Sequence, residues 1–526
     1  MGLFGGIMKF FMIIFVIILT IFIVAFALMF FIPGFKLFGY HYITCNNSYY
    51  SQLVKGAGTE HSDMWNNADV IRIETGGYDI NVCYSNNLID AGDVRVTMDG
   101  SYRGFVSGKV NKPTYDSTEI SGKYYEDNTR SEKIYYIKIA EPTGGFLLRT
   151  NNVLNVYMVN DELVNKSVEI VTRSGAVNFA DNTKVMNVKN LKIVSNSGKV
   201  VLNQMSLALN GKLEIEKSKS GTITSNTDLY GDIKINVLGG GDRISLKDIG
   251  YQANPNSKLY IKSHDSKVII GNIYGDFECA CHGASLTAGT ITGSAKVIVT
   301  ETACKFDRVG LTAGVDTFWV ESKGKTSVYC KDVYANAVLK MGKTSTTLDN
   351  TYGTVDFQSS KGNLTLKNAM KDVLIGQTSG AISIDFNKDY VSNLTSTATA
   401  GTIKFNNMQG KVKINEQNQQ SSCKIIGTFL AVNGENVIQT TSGNIELTCP
   451  LNMNWSIFWK AKKASLDIFG TARTTINSSE QYIKSNYPGN NTVWTTAYGA
   501  PSGEMENSLK LLSSSGKIVV KQLSQE

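Results

Sequence analysis

Two hydrophobic patterns divide this chain. Phe10 to Ile32 is an unbroken apolar run with no charge and one hydroxyl, Thr20. Its 23 residues at ~1.5 Å each span roughly 35 Å, enough to cross a ~30 Å hydrocarbon layer. Insertion at central-position values is favourable by roughly 5 to 11 kcal/mol at most, and Pro33-Gly34 stops the helix. Ala25-Phe26-Ala27 has the small-x-small form of a signal-peptidase site, but the run continues well past the ~7 to 15 residues of a signal core. An uncleaved single-pass anchor is expected, with residues 1–9 a short cytoplasmic tail and the bulk of the chain extracytoplasmic, at the cell surface.

From about residue 170 the pattern becomes a strict alternation. Ser174-Gly175 precedes Val177 and Phe179, Ser197-Gly198 precedes Val200 and Leu202, and Ser379-Gly380 precedes Ile382 and Ile384. With Asp242, Lys267, Cys304, Cys423 and Ala464 allowed at the glycine place, the anchors are 175, 198, 221, 242, 267, 283, 304, 324, 342, 362, 380, 401, 423, 443 and 464, with a mean spacing of about 21 residues. A second glycine series at 211, 231, 353 and 410 lies half a period away, so each repeat carries two strands. Even offsets from glycine are mostly Val, Ile, Leu or Phe and odd offsets mostly polar, which places them on opposite faces of a pleated strand. One such repeat cannot bury its apolar row alone. Stacking does so, and the regularity predicts an all-β β-solenoid, parallel β-helix-like, of about fifteen coils of about 21 residues, preceded by one N-terminal transmembrane helix. Glycine is expected to supply corner dihedrals. An antiparallel sandwich with hairpins every ten residues is the competing fold.

The period is not legible at either end. Residues 33–64 read as a juxtamembrane linker, 65–170 as irregular β structure starting or capping the solenoid, 171–470 as regular solenoid, and 471–526 as a C-terminal loop and capping strand.

Composition narrows the function. Charged residues make up 18% and the net charge is +7 over 526 residues, too dilute for a nucleic-acid footprint. Hydrophobic content of 42% excludes disorder. Ser174-Gly175-Ala176-Val177, Ser197-Gly198-Lys199-Val200, Ser220-Gly221-Thr222-Ile223, Ser379-Gly380-Ala381-Ile382 and Ser442-Gly443-Asn444-Ile445 carry a resemblance to the bacterial "putative adhesin" domain family of unknown function, over roughly residues 65 to 520. The resemblance implies a helix-anchored β-solenoid with an adhesive role, without defining a ligand or catalytic residues.

Cys279, Cys281 and His282 place three metal-ligand types within four residues, yet Cys279 and Cys281 fall on inward parity, which favours small core residues over a metal site or an inter-coil disulfide. Cys45 and Cys83 lie outside the repeat and are free to pair. Acids are scattered singly, so the carboxylate cluster of a polysaccharide lyase or hydrolase is not evident. Ser263-His264-Asp265-Ser266 reads as a polar turn rather than part of a triad, and Gly239-Gly240-Gly241-Asp242 as a turn. Tyr124, Tyr125, Trp494 and Tyr498 are the candidate ligand-binding aromatics, set against their packing into the β core. The chain is therefore expected to be non-enzymatic, without cofactor, with the lipid bilayer as partner through Phe10 to Ile32 and a glycan, envelope polymer or protein as ligand. A polysaccharide-active enzyme and a self-assembling envelope scaffold are the alternatives.

Overall fold

The computed structural model describes residues 2–32, 35–54, 69–84, 94–106, 115–121, 133–139, 145–158, 166–179, 186–203, 205–241, 243–376, 379–397, 401–415, 424–450, 456–461, 465–468, 471–474, 482–486, 493–497, 507–513 and 516–523. The chain is mostly β: a parallel β-solenoid of about 12 turns of ~21 residues follows one N-terminal apolar helix. It divides into two compact units, Met1–Thr227 and Asp228–Glu526.

In the first unit the helix runs Gly2–Phe31, beginning eight residues before the uncharged run. Most of its large apolar side chains, from Phe10 to Phe31, lie uncovered by protein, and the helix is long and apolar enough to cross a membrane. The regular coils of this unit stack Val177 on Val200 on Ile223 in parallel register. Their start departs from chain order. Strand Val70–Thr75 lies between Lys133–Ile139 and Ser167–Thr172, parallel to both. Likewise Asp79–Tyr84 lies between Gly145–Met158 and Val177–Phe179. Antiparallel strands then cover the outer members, Tyr115–Ser121 on Lys133–Ile139 and Val94–Val106 on Gly145–Met158. This leaves no parallel edge with open backbone groups on those two strands, the device by which sheets avoid edge-to-edge association.

In the second unit each coil consists of a first-sheet strand, a first corner, a second-sheet strand and a second corner. Asn336–Met341 and Ser345–Thr351 form one example, with Gly342–Thr344 and Tyr352–Thr354 as corners. Inward rows are mostly aliphatic and buried, as along Ile244, Val268, Leu286, Val328 and Leu364, with Cys304 and Thr346 taking the two remaining places of that row. The register also corrects five anchors. Ser266 aligns with Ala284, Thr302, Thr326, Thr344 and Gly362, so Lys267, Gly283, Cys304, Gly324 and Gly342 each stand one or two places away from the common corner position. The places taken there by Ser and Thr are buried, and their hydroxyls are bonded: Thr344 Oγ1 lies 2.6 Å from Ser322 Oγ and 2.7 Å from Thr326 Oγ1. Hydroxyls stand where glycine was expected because they satisfy the corner by side-chain hydrogen bonding.

The mean period conceals a spread of coil lengths. The tightest coil takes 18 residues, as from Ser285 to Ala303, and a longer one takes 24, as from Ala303 to Ser327. The extra residues enter mainly at the second corner, where residues 311–315 are exposed. Second corners are locked by Asp and Asn side chains that accept a backbone N–H from the next coil. Asp248 Oδ1 takes Asn272 N at 2.7 Å, Asn272 Oδ1 takes Thr290 N at 3.0 Å, and Asn336 Oδ1 takes Thr354 N at 3.0 Å. The abundant Asn of this chain thus satisfies corner amides that no strand can reach.

The far end repeats the interleaving seen at the start. Ser508–Ser513 lies between Glu435–Thr440 and Ser456–Ala461, and Ile518–Gln522 between Asn444–Cys449 and Ser465–Ile468. The last strand of the chain is therefore an internal coil of the stack rather than its closing strand. Hairpin strands Thr471–Thr474, Tyr482–Asn486 and Val493–Ala497 add antiparallel cover.

Candidate functional site

The outward surface of the second unit gathers chemistry at its corners. Bridges Leu229↔Ile249, Ile249↔Ile273 and Ile273↔Ile291, continued by the strand register, put Tyr230, Tyr274, Tyr334 and Tyr352 in one column along the second corner. The sharpest part of this column is a three-layer stack. Tyr334 and Tyr352 lie face to face with centroids 4.0 Å apart and planes at 12°. The Arg308 guanidinium covers the other face of this pair, 4.0 Å from the Tyr334 centroid. Arg308 is held there by the inserted corner, donating from Nε to Gly310 O at 3.2 Å and from Nη2 to Leu311 O at 3.5 Å. A hydrogen bond with Tyr334, then burial, raises the Tyr352 hydroxyl pKa. Leu311 and Val315 stand exposed on the same corner, Val315 at 72%. The result is an edge combining the rims of two stacked tyrosines, a fixed cation and two aliphatics, a surface suited to amphipathic ligands. Its sequence signal was the 18-residue recurrence of a tyrosine immediately after a buried strand residue, Val333-Tyr334 and Thr351-Tyr352.

Tyr124, Tyr125 and Tyr498 lie outside the described residues. Trp494 belongs to hairpin strand Val493–Ala497, with its backbone opposite Ser485.

The cysteine cluster separates by parity. Cys279 and Cys281 are buried free thiols on strand Gly275–His282, whereas His282 at the end of that strand is exposed. Cys304, Cys330 and Cys449 are likewise free and buried. Burial, then the charge of neighbouring Cys281, pushes Cys304 up to about 12, and burial alone pushes Cys449 up to about 12. Cys279 and Cys330 are raised chiefly by the same desolvation. Thiolate, the attacking form, is thereby suppressed at these four, whereas the hydrogen bond with Cys279 lowers the Cys281 pKa, and there it is burial in the ladder that excludes reagent. Iodoacetamide at pH 8.5 should leave Cys279, Cys281, Cys304, Cys330 and Cys449 unmodified in the native chain and label all five after denaturation. Peptide mapping that finds any of them alkylated at a rate near that of a free thiol would contradict this packing. The backbones of Cys45 and Cys83 lie on separate strands, Tyr40–Val54 and Asp79–Tyr84.

His282 instead meets a residue 18 positions earlier. His264 and His282 are register partners on adjacent strands. Their rings stack with centroids 4.5 Å apart and planes at 9°. Asp265, read from sequence as part of a polar turn, does turn the chain, with φ at 51°. Its carboxylate reaches both imidazoles, Oδ2 lying 3.0 Å from His264 Nδ1 and Oδ1 lying 3.7 Å from His282 Nδ1. Glycine spacing hides this pairing, because it sets Lys267 against Gly283. The observed step of 18, Lys267 on Ser285, brings 264 onto 282.

No family model matches the chain, and no curated protein matches it. Among solved structures it is similar to a "putative cell adhesion protein" from Clostridium sporogenes, at 8% identity and a TM-score of 0.14, over 92% of this chain and 100% of that one. At that identity and TM-score the likeness carries no argument about function, which rests on the corners of the solenoid alone.

Proposed function

We propose that this chain is a membrane-anchored, extracytoplasmic and non-catalytic β-solenoid, adhesin-like in role, that presents a rigid binding surface to a glycan, an envelope polymer or a protein. The observation that carries this reading is the Arg308–Tyr334–Tyr352 stack. Its rings and guanidinium are held by one another before any ligand arrives, so little side-chain entropy is lost on binding. Support for the anchor comes from the helix Gly2–Phe31, whose apolar side chains lie uncovered by protein and find a matching solvent in lipid.

Cells displaying the full chain should be retained on immobilised envelope polysaccharides or on other cells. The Tyr334→Ala/Tyr352→Ala variant should lower retention about tenfold, since two aromatic contacts at roughly 0.5–1.5 kcal/mol each amount to that factor. Equal retention of variant and parent would remove this edge as the binding surface. Absence of retention by the displayed parent across polysaccharides, cells and proteins would remove the adhesive role.

A further inference from the structure

We infer that His264, Asp265 and His282 form a binding site for a divalent transition-metal ion. The three residues offer one ligand atom each, and those atoms all lie within 4.8 Å of one another. All three side chains are about half exposed, so an ion reaches them without opening the solenoid.

The fold builds this arrangement from its own repeat. Parallel register sets His264 and His282 one coil apart at the ends of their strands, on the outward face. Asp265 follows in a left-handed backbone conformation that is uncommon for residues other than glycine. Two backbone bonds hold it there: its N–H donates to His282 O at 2.6 Å, and its carbonyl accepts from Gly241 N at 3.0 Å. The side chain is therefore turned back over the two imidazoles. Space for it is reserved by glycine. A Cβ at position 283 would fall 2.0 Å from Asp265 Oδ1, and one at position 240 would fall 3.3 Å from Oδ2. Both Nδ1 atoms face the same carboxylate, so an ion drawn between them replaces contacts already aimed at one point.

Two imidazole nitrogens and one carboxylate oxygen make a borderline donor set. Calcium and magnesium prefer oxygen throughout, whereas Zn2+, Ni2+ and Cu2+ take mixed nitrogen and oxygen sites, with Cu2+ bound most tightly among them. Three protein ligands leave at least one position for water or for a donor on a bound molecule. The site lies at a first corner, away from the tyrosine column of the second corner, and its occupancy is independent of the adhesive reading.

The test is a titration of the full chain in detergent micelles with Zn2+ and with Cu2+, followed by calorimetry and by electron paramagnetic resonance of the Cu2+ form. Parent protein should bind one ion that the His264→Ala/His282→Ala variant does not, and Asp265→Asn should weaken binding by about tenfold or more. Even outer-shell partners of metal ligands cost about 10–100-fold when lost. The bound Cu2+ should show splitting from two equivalent nitrogens. Equal affinity in parent and double variant would overturn the site, as would a parent spectrum with fewer than two nitrogens, a reading that needs no variant to fold.

Discussion

Phe318→Ala should lower the stability of the coils around it by about 3–5 kcal/mol, at the upper end of core truncations. Phe318 is fully buried, and its ring meets Phe306 edge to face at 5.4 Å. Its register neighbours explain the size of the effect. Ala295 lies directly below it and Ala337 directly above, both buried, while Phe277 stands below Ala295. Large and small residues alternate along this column, so the ring fills space that three coils share. Alanine at 318 would set three alanines in line and leave a void that straight in-register strands cannot collapse. A globular protein would spread this loss over one cooperative transition, but a solenoid coil contacts mainly its neighbours, and its stability is a sum of local terms. Hydrogen exchange should accordingly show lost protection in Ala295–Thr300, Thr317–Lys323 and Asn336–Met341, with Val412–Asn415 and Lys424–Phe429 unchanged. A loss below about 1 kcal/mol, or an even loss along the unit, would contradict this description.

How much of this was legible in sequence follows from the same column. Alternation shows which residues point inward, because the pleat has a period of two. The inward placement of Phe277, Cys279 and Cys281 was readable from Gly275 alone. Which residue stacks on which was not readable, because it depends on the length of each coil, and a mean of about 21 covers coils from 18 to 24 residues and beyond. His264 and His282 make the cost of that averaging plain: each is unremarkable alone, and only an 18-residue register sets one over the other. The interleaved ends were hidden for a different reason. Placing Val70–Thr75 between strands more than sixty residues later is a long-range pairing with no local signature. The Arg308 stack also depends on coil length, since a 24-residue step brings Arg308 to Asp332 and hence over Tyr334.

The corner glycines carry the second large effect, and at several of them, Gly175, Gly353, Gly380 and Gly410 among them, the cause is space rather than backbone angle. Gly353 takes no left-handed φ. A Cβ on it would nevertheless lie 2.3 Å from the Ala335 carbonyl oxygen and 2.7 Å from its carbon, both backbone atoms of the coil below. Neither can swing aside as a side chain would, so the coils must part locally. Two inter-coil bonds are anchored at that point, Thr354 N to Asn336 Oδ1 at 3.0 Å and Ala337 N to Thr354 O at 2.8 Å. Gly353→Ala should therefore cost roughly 2–4 kcal/mol, combining overpacking with about 1 kcal/mol for each bond displaced. Gly314 supplies the contrast, with φ at 75° and nothing nearer than 3.7 Å to its added Cβ. Gly314→Ala should cost only about 1 kcal/mol, the left-handed penalty reduced by the lower entropy of the unfolded chain. If urea titrations followed by hydrogen exchange at strands Asn336–Met341 and Val355–Ser359 gave the two variants equal losses, dihedral preference would account for both corners. The larger loss at Gly353 is expected because a solenoid whose coils stack backbone on backbone admits no side chain at that place.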